Sequence, residues 1–278
     1  MKPTIKIGEK QRIYTETCSI DGTVVDIQSI DTDTQKGTLV TYSIDNYGVT
    51  NGFYVPDGTV LESQIANRRN RSGMPKEHVY KFANDFKWNL YGENVDTQKR
   101  IVNAYVVNFD KWRKQGRGLY IYSKEKGSGK TMLSCCIANE ILKRNDISAK
   151  FISMPEYIEL VKAKTEAEKE RKEQILNAAL LIVDDIGTVS NEKEWIDNAI
   201  FHLVNRRHEN LLPTIYTSNI ECEKLKCDDR ISSRIYEDTT PILMPEISIR
   251  KQKADEENRR FIKSILDDMG DDDETVFE

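Results

Sequence analysis

No stretch of this chain is long and apolar enough to cross a membrane. The longest purely aliphatic run is Ala178 to Val183, whereas a helical span needs roughly 20 apolar residues. Met1 to Lys10 lacks the apolar centre of a signal peptide, so a cytoplasmic protein with no membrane contact is expected. Zinc-type spacing is missing as well. Cys18, Cys135, Cys136, Cys222 and Cys227 are odd in number and contain no CxxC pair. Cys222 and Cys227 come nearest to a metal pair, but reduced thiols are the better reading. Finally, residues 267–278 hold seven acids and no base. Taking those seven negative charges from the net −5 leaves +2 on the rest. The body is near neutral, and its charge neither requires nor excludes nucleic acid.

What is present divides into four parts. Residues 1–62 hold Thr23–Ile30, Thr38–Ile44 and Gly52–Leu61, all rich in Val, Ile, Thr and Tyr and separated by Asp/Gly turn signals. They read as a small β-rich module, with a further turn at Pro56-Asp57-Gly58. Residues 63–76 read as a linker or short helix. There Arg68, Arg69 and Arg71 either touch phosphate or form a solvated face. Residues 77–266 alternate strands with helices, which predicts an α/β fold with a parallel sheet. Its expected strands are 118–123, 149–153, 178–184 and 213–219. Helices are expected from the glycine loop to 143, after Pro155, and over 195–210, 230–236 and 250–269. Residues 267–278 are expected to be a disordered acidic tail.

The strand Leu119-Tyr120-Ile121-Tyr122 runs into Ser123-Lys124-Glu125-Lys126-Gly127-Ser128-Gly129-Lys130-Thr131 and then a helix. That is the context of a P-loop. Gly127, Ser128 and Gly129 let successive N–H groups point at phosphate, and the helix N-terminus adds partial positive charge. Lys130 suits the β- and γ-phosphates of ATP, and Thr131 suits Mg²⁺. One departure is Lys124, which stands where the pattern has its first glycine.

A second strand, Leu180 to Val183, delivers Asp184 and Asp185 to the carboxyl edge of the sheet, where ligands of α/β folds gather. Asp184 fits a role in holding Mg²⁺. Asp185 fits orienting or deprotonating an attacking water. A third strand, Thr214 to Ser218, ends at Asn219, placed to hold that water or sense the γ-phosphate. Asp229-Arg230-Ile231-Ser232-Ser233-Arg234 comes next. Arg234 and Arg230 are both candidates for an arginine that reaches a neighbouring subunit's γ-phosphate; a surface helix with two salt bridges is the alternative. Arg250, opening the last helix, is a candidate for a γ-phosphate contact within the same subunit.

On Gly127–Thr131, Leu180–Gly187, Pro213–Ile220 and Asp229–Ile235, residues 75–265 resemble the DnaC/DnaI-type helicase loaders and the IstB-type transposition ATPases. The resemblance implies an AAA+ ATPase core that binds ATP and Mg²⁺ and forms a homo-oligomer. It casts Lys130 as phosphate lysine, Thr131 as Mg²⁺ ligand and Asp184 as the acid of the Mg²⁺ water shell. Asp185 becomes the catalytic acid, Asn219 the sensor, Arg234 the arginine finger and Arg250 the second sensor. An aspartate in the catalytic position suits slow, switch-like turnover. The clade also carries a helix after its second strand that faces single-stranded DNA. Pro155–Thr165 falls there, and Tyr157, Lys162 and Lys164 suit a stacking platform; a solvated amphipathic helix is the equal alternative.

The implied function is an ATP-dependent loader that grips single-stranded DNA and delivers a replicative helicase. The nearest alternative is a transposition helper that coats DNA and recruits a transposase. A small-molecule kinase is the third reading, and the Asn219 strand with the Arg230/Arg234 segment fits it less well.

Overall fold

The structure is a computed structural model and describes residues 7–8, 10–14, 19–31, 36–44, 50–56, 65–187 and 194–268. The acidic stretch beyond residue 268, Cys18 and the turn residues 57–58 lie outside the described residues.

Four strands open the chain: β1 (Lys10–Tyr14), β2 (Ser19–Asp31), β3 (Lys36–Ile44) and β4 (Thr50–Pro56). Each pairs antiparallel with the next, in the sheet order β1-β2-β3-β4. Val24 lies opposite Tyr42 across β2 and β3 and is buried with it and Val40. The β-rich expectation therefore holds, with one strand more than expected. The segment Lys-Gln-Arg-Ile-Tyr of β1 has two cations and a single aliphatic residue. Pairing with β2, from Lys10–Thr23 to Tyr14–Ser19, makes it a strand.

The stretch expected as linker contains a short helix, α1 (65–70). Side-chain and backbone contacts fasten it to the α/β part. Arg68 pairs with Asp146, Arg69 lies 4.6 Å above the Phe82 ring, and Phe151 N–H donates to Ser72 O at 2.8 Å. Arg68 and Arg69 thus make tertiary contacts to the α/β part.

The α/β part runs α2 (Asp96–Val107), α3 (Phe109–Lys114), β5 (Gly118–Tyr122), α4 (Lys130–Arg144), β6 (Ala149–Ser153), α5 (Met154–Val161), α6 (Glu166–Leu176) and β7 (Leu180–Asp184). It continues with α7 (Glu194–Glu209), β8 (Thr214–Ser218), α8 (Asp229–Asp238), β9 (Thr239–Leu243) and α9 (Ile249–Asp268). The five strands are parallel in the order β6-β7-β8-β5-β9. Side chains alternate across the sheet, as the period of two demands. Leu119 and Ile121 join Tyr105, Phe109, Ile137 and Ile141 on one face, while Tyr120 joins Tyr157, Leu203, Ile231 and Ile235 on the other. Both faces are covered, so every residue of β7 and β8 is buried and β7 is apolar up to Asp184.

Strand β9 was not expected. Its residues, Thr239-Thr240-Pro241-Ile242-Leu243, include a proline that has no N–H to donate. That is tolerated because β9 is an edge strand, bonded only to β5 within this sheet. Helix α6 hid in a Glu/Lys-rich stretch, although Thr165 and Glu168 form a complete capping box at its start.

Arg207 is fully buried near the end of α7. It donates to Thr214 Oγ1 (2.7 Å) and to the carbonyls of Ile175, Leu176, Ala178 and Pro213. Burial lowers its pKa to about 10. No helix among the described residues is long and apolar enough to cross a membrane.

Candidate nucleotide site

Strand β5 ends at Tyr122, and the chain turns through residues 123–129 before α4 begins at Lys130. Two glycines make that turn. Gly127 has φ +77° and Gly129 +91°, in the left-handed region that residues with a Cβ avoid. Space is as restrictive as conformation. A Cβ on Gly127 would lie 2.9 Å from Arg250 Cβ and Ser248 Oγ, and one on Gly129 would lie 3.0 Å from the Tyr91 hydroxyl. Lys124, where the usual pattern has glycine, pairs with Glu246 at 3.8 Å.

Lys130 is buried, and its ammonium donates to Glu125 O (3.0 Å), Ser123 O (3.2 Å) and Ser128 Oγ (3.2 Å). All three acceptors are neutral. Burial lowers the ammonium's pKa, and Asp185, Asp184 and Glu125 oppose that shift. Arg250 repels the same ammonium. Its N–H donates to Gly127 O at 3.1 Å, so the start of α9 rests on the loop.

Asp184 closes the other side. Thr131 Oγ1 donates to its two oxygens at 2.9 and 3.1 Å, and Thr217 Oγ1 donates at 2.6 Å. Burial raises the carboxyl's pKa above its ordinary 3.8. The two hydroxyls and Lys130 pull it back, and Asp185 pushes it further up. Asp185 itself has φ +57°, a strained conformation of the kind that clusters at functional sites, and Asp tolerates it better than most. Its N–H donates to Thr217 Oγ1 at 2.9 Å. One hydroxyl thus ties both acids to the end of β8. Ser218 does the same for the next turn, donating to Ile186 O at 2.7 Å and accepting from Ile220 N–H. Asn219 is the next residue, half-buried at the same sheet edge.

Sequence reasoning did not single out Thr217, Ser218 or Tyr91. The polar pair Thr-Ser at the end of an apolar strand was the available signal for the first two. Tyr91 lies 37 residues before its partner Ser128, and no local pattern announces it.

The arginines divide. Arg250 is at the loop, whereas Arg230 and Arg234 are not among the charges acting on Lys130. They sit together on α8 above the Phe201 ring, at 4.7 and 5.3 Å. Arg230 is also forked onto Asp228, Nε to Oδ1 at 3.0 Å and Nη2 to Oδ2 at 2.8 Å. These bonds draw the Asp228 carboxyl down to about 2.

Tyr157 needs correcting as a stacking candidate. It is 1% exposed, faces the sheet and donates to Ala199 O at 3.3 Å. The ring at that surface is Trp195, 38% exposed, with Lys162 Nζ 5.2 Å above it. Cys222 and Cys227 are thiols that burial pushes up to about 12 and 11.

The residues present fit a nucleoside triphosphate with Mg²⁺. A buried ammonium rests on neutral acceptors, a buried carboxylate accepts only from hydroxyls, and both meet at a helix N-terminus that favours anions. Mg²⁺ binds such sites through one or two protein oxygens, with phosphate and water completing the shell.

A parallel sheet in which β8 separates the loop strand β5 from the acid strand β7, with the loop and both acids at one edge, defines the AAA+ class of P-loop proteins. Residues 95–239, more than half the chain, match the family model of the bacterial DnaA ATPase domain, and the chain belongs to that family. It is also homologous to replicative helicase loaders. Identity is 31% over 114 residues to DnaI of Bacillus subtilis (strain 168), covering 40% of this chain and 36% of that one. It is 28% over 160 residues to DnaC of Escherichia coli (strain K12), covering 56% and 62%. The matches thus span less than two thirds of either relative. A crystal structure of DnaI superposes with a TM-score of 0.52 at 28% identity, over 62% of this chain and 94% of that one.

Proposed function

We propose that the chain is an ATP-hydrolysing DNA-replication protein that oligomerises, binds single-stranded DNA and loads a replicative helicase. The observation that carries the ATPase part is the Thr131–Asp184–Thr217–Asp185 network beside the buried Lys130. Kinship with DnaI and DnaC, both named replicative helicase loaders, supports the rest.

In this reading Lys130 and the loop N–H groups hold the phosphates, and Thr131 with Asp184 holds Mg²⁺. Bound Mg²⁺ supplies neutralisation of charge on the phosphate oxygens. Asp185, fixed through its backbone by Thr217, orients the attacking water and accepts its proton. Asn219 stands at the same edge to hold that water. Arg250 contacts phosphate within the subunit, and Arg234 serves the neighbouring one. An aspartate base, shorter than glutamate, makes turnover slow and switch-like. For DNA, the exposed Trp195 with Lys162 replaces Tyr157 as the stacking ring.

The test is affinity capture by the full chain from its native host, with ATP present. A hexameric helicase is the expected partner. Recovery of a transposase in its place would overturn the loader reading in favour of a transposition helper.

A further inference from the structure

Tyr91 packs against the phosphate loop from outside. It is 3% exposed and stacks with Phe86 and Trp88, with ring centroids 6.2 and 6.3 Å from its own. Its hydroxyl donates to Ser128 O at 2.6 Å. Burial raises the phenol's pKa, so the hydroxyl keeps the proton it donates. On the same side, a Cβ at Gly129 would meet that hydroxyl at 3.0 Å and the Phe86 ring at 3.3 Å. The aromatic cluster therefore lies directly against the peptide joining Ser128 to Gly129.

That peptide is trans, so its C=O and N–H point in opposite directions. Drawing the Ser128 carbonyl toward Tyr91 turns the Gly129 N–H away from the aromatic cluster. Gly127, at φ +77°, and Gly129, at φ +91°, have no Cβ to restrict the backbone on either side of Ser128. On its Gly129 side the Ser128–Gly129 peptide therefore has little of its own to fix its plane.

We propose that Tyr91 is a positioning residue of the phosphate loop, holding the Ser128 carbonyl outward so that the Gly129 N–H is presented to phosphate. This rests on the reading that the loop binds a nucleoside triphosphate. The hydroxyl acts through the peptide and touches no ligand. Its effect therefore falls on the phosphates and not on the nucleoside.

Tyr91→Phe removes the hydroxyl and keeps the ring. Binding of ATP, tripolyphosphate and adenosine is measured by competition against a fluorescent nucleotide, with melting temperature alongside. ATP and tripolyphosphate should each weaken about three- to tenfold, the size of one net hydrogen bond, while adenosine stays unchanged. Phe86→Leu, which loosens the same packing but leaves the hydroxyl, should not separate the three ligands. Unchanged ATP affinity in Tyr91→Phe overturns the proposal. So does an equal loss for all three ligands, which marks Tyr91 as packing alone. A wild-type chain that binds none of them sinks the nucleotide reading itself, a result distinct from either.

Discussion

The phosphate loop and the arginine edge of α8 are built on opposite plans. At the loop, donors and acceptors close on one another: Lys130 on three loop oxygens, Thr131 and Thr217 on Asp184, and the Asp185 N–H on Thr217. At α8, Arg230 is forked onto Asp228, while Arg234 lies half-buried against a ring and faces no carboxylate in any ion pair among the described residues. A guanidinium stacked on Phe201 keeps its planar fork available for a phosphate. On the proposed function, one region would carry a site within a single chain, and the other would present half of a contact that a second chain completes.

The strongest way to break this contrast is Arg234→Ala. Turnover should fall by about a thousandfold or more with ATP binding retained, as for arginine fingers elsewhere. Mixing it with Lys130→Ala protein should restore activity, because mixed interfaces pair an intact loop with an intact arginine. If only Arg230→Ala mixtures recover, the roles of the two arginines are exchanged; if neither does, the trans contact is wrong. Asp185→Asn should slow hydrolysis about a hundredfold or more and leave ATP binding intact, since an amide cannot accept the water's proton. Single-turnover rates at the wild-type level would remove Asp185 from the chemistry.

Lys130→Ala should weaken ATP binding by roughly 10- to 150-fold, matching about 1.5–3 kcal/mol for a charge-assisted contact. Calorimetry checks it, and an unchanged affinity would end the P-loop assignment. Trp195→Ala should reduce single-stranded DNA binding about fivefold or more, the loss of one stacked base. Binding should also weaken steeply with salt. The smallest effect expected is on stability. Because burial raises the Asp184 carboxyl's pKa, the stability it contributes is present below its unfolded value of 3.8 and is lost as pH climbs through the folded value. Asp184→Asn should therefore raise the melting temperature of nucleotide-free protein by a few degrees at neutral pH, flatten its pH dependence and weaken Mg²⁺-dependent ATP binding. A lower melting temperature at neutral pH would contradict that account.

The two regions were also unequally legible in the sequence. Gly127 to Thr131 and Leu180 to Asp185 could be read because backbone chemistry dictates those residue types at that spacing. The strands that carry them were placed within a residue or two, since runs buried on both faces have few alternatives. Strand β9 escaped because an edge strand can accommodate Pro241 and needs no apolar run. Tyr157 was misread because an amphipathic helix does not reveal which aromatic faces the sheet, while Trp195, on another helix, carries the exposed ring. Thr217 and Tyr91 act through contacts from distant parts of the chain, and spacing along a sequence does not encode such contacts.

Arg207 has a mechanical consequence. Its guanidinium grips the chain leading into β7, at Leu176 and Ala178, and the chain leading into β8, at Pro213 and Thr214. With no carboxylate among those partners, the charge is offset by carbonyl dipoles from both segments, and separating them would strand it in an apolar interior. The rear ends of the two strands are thereby riveted into one anvil. At the opposite end the same two strands carry Asp184 and Thr217 and open into Asp185 and Asn219, so the rivet sets the spacing of the strands that hold both acids.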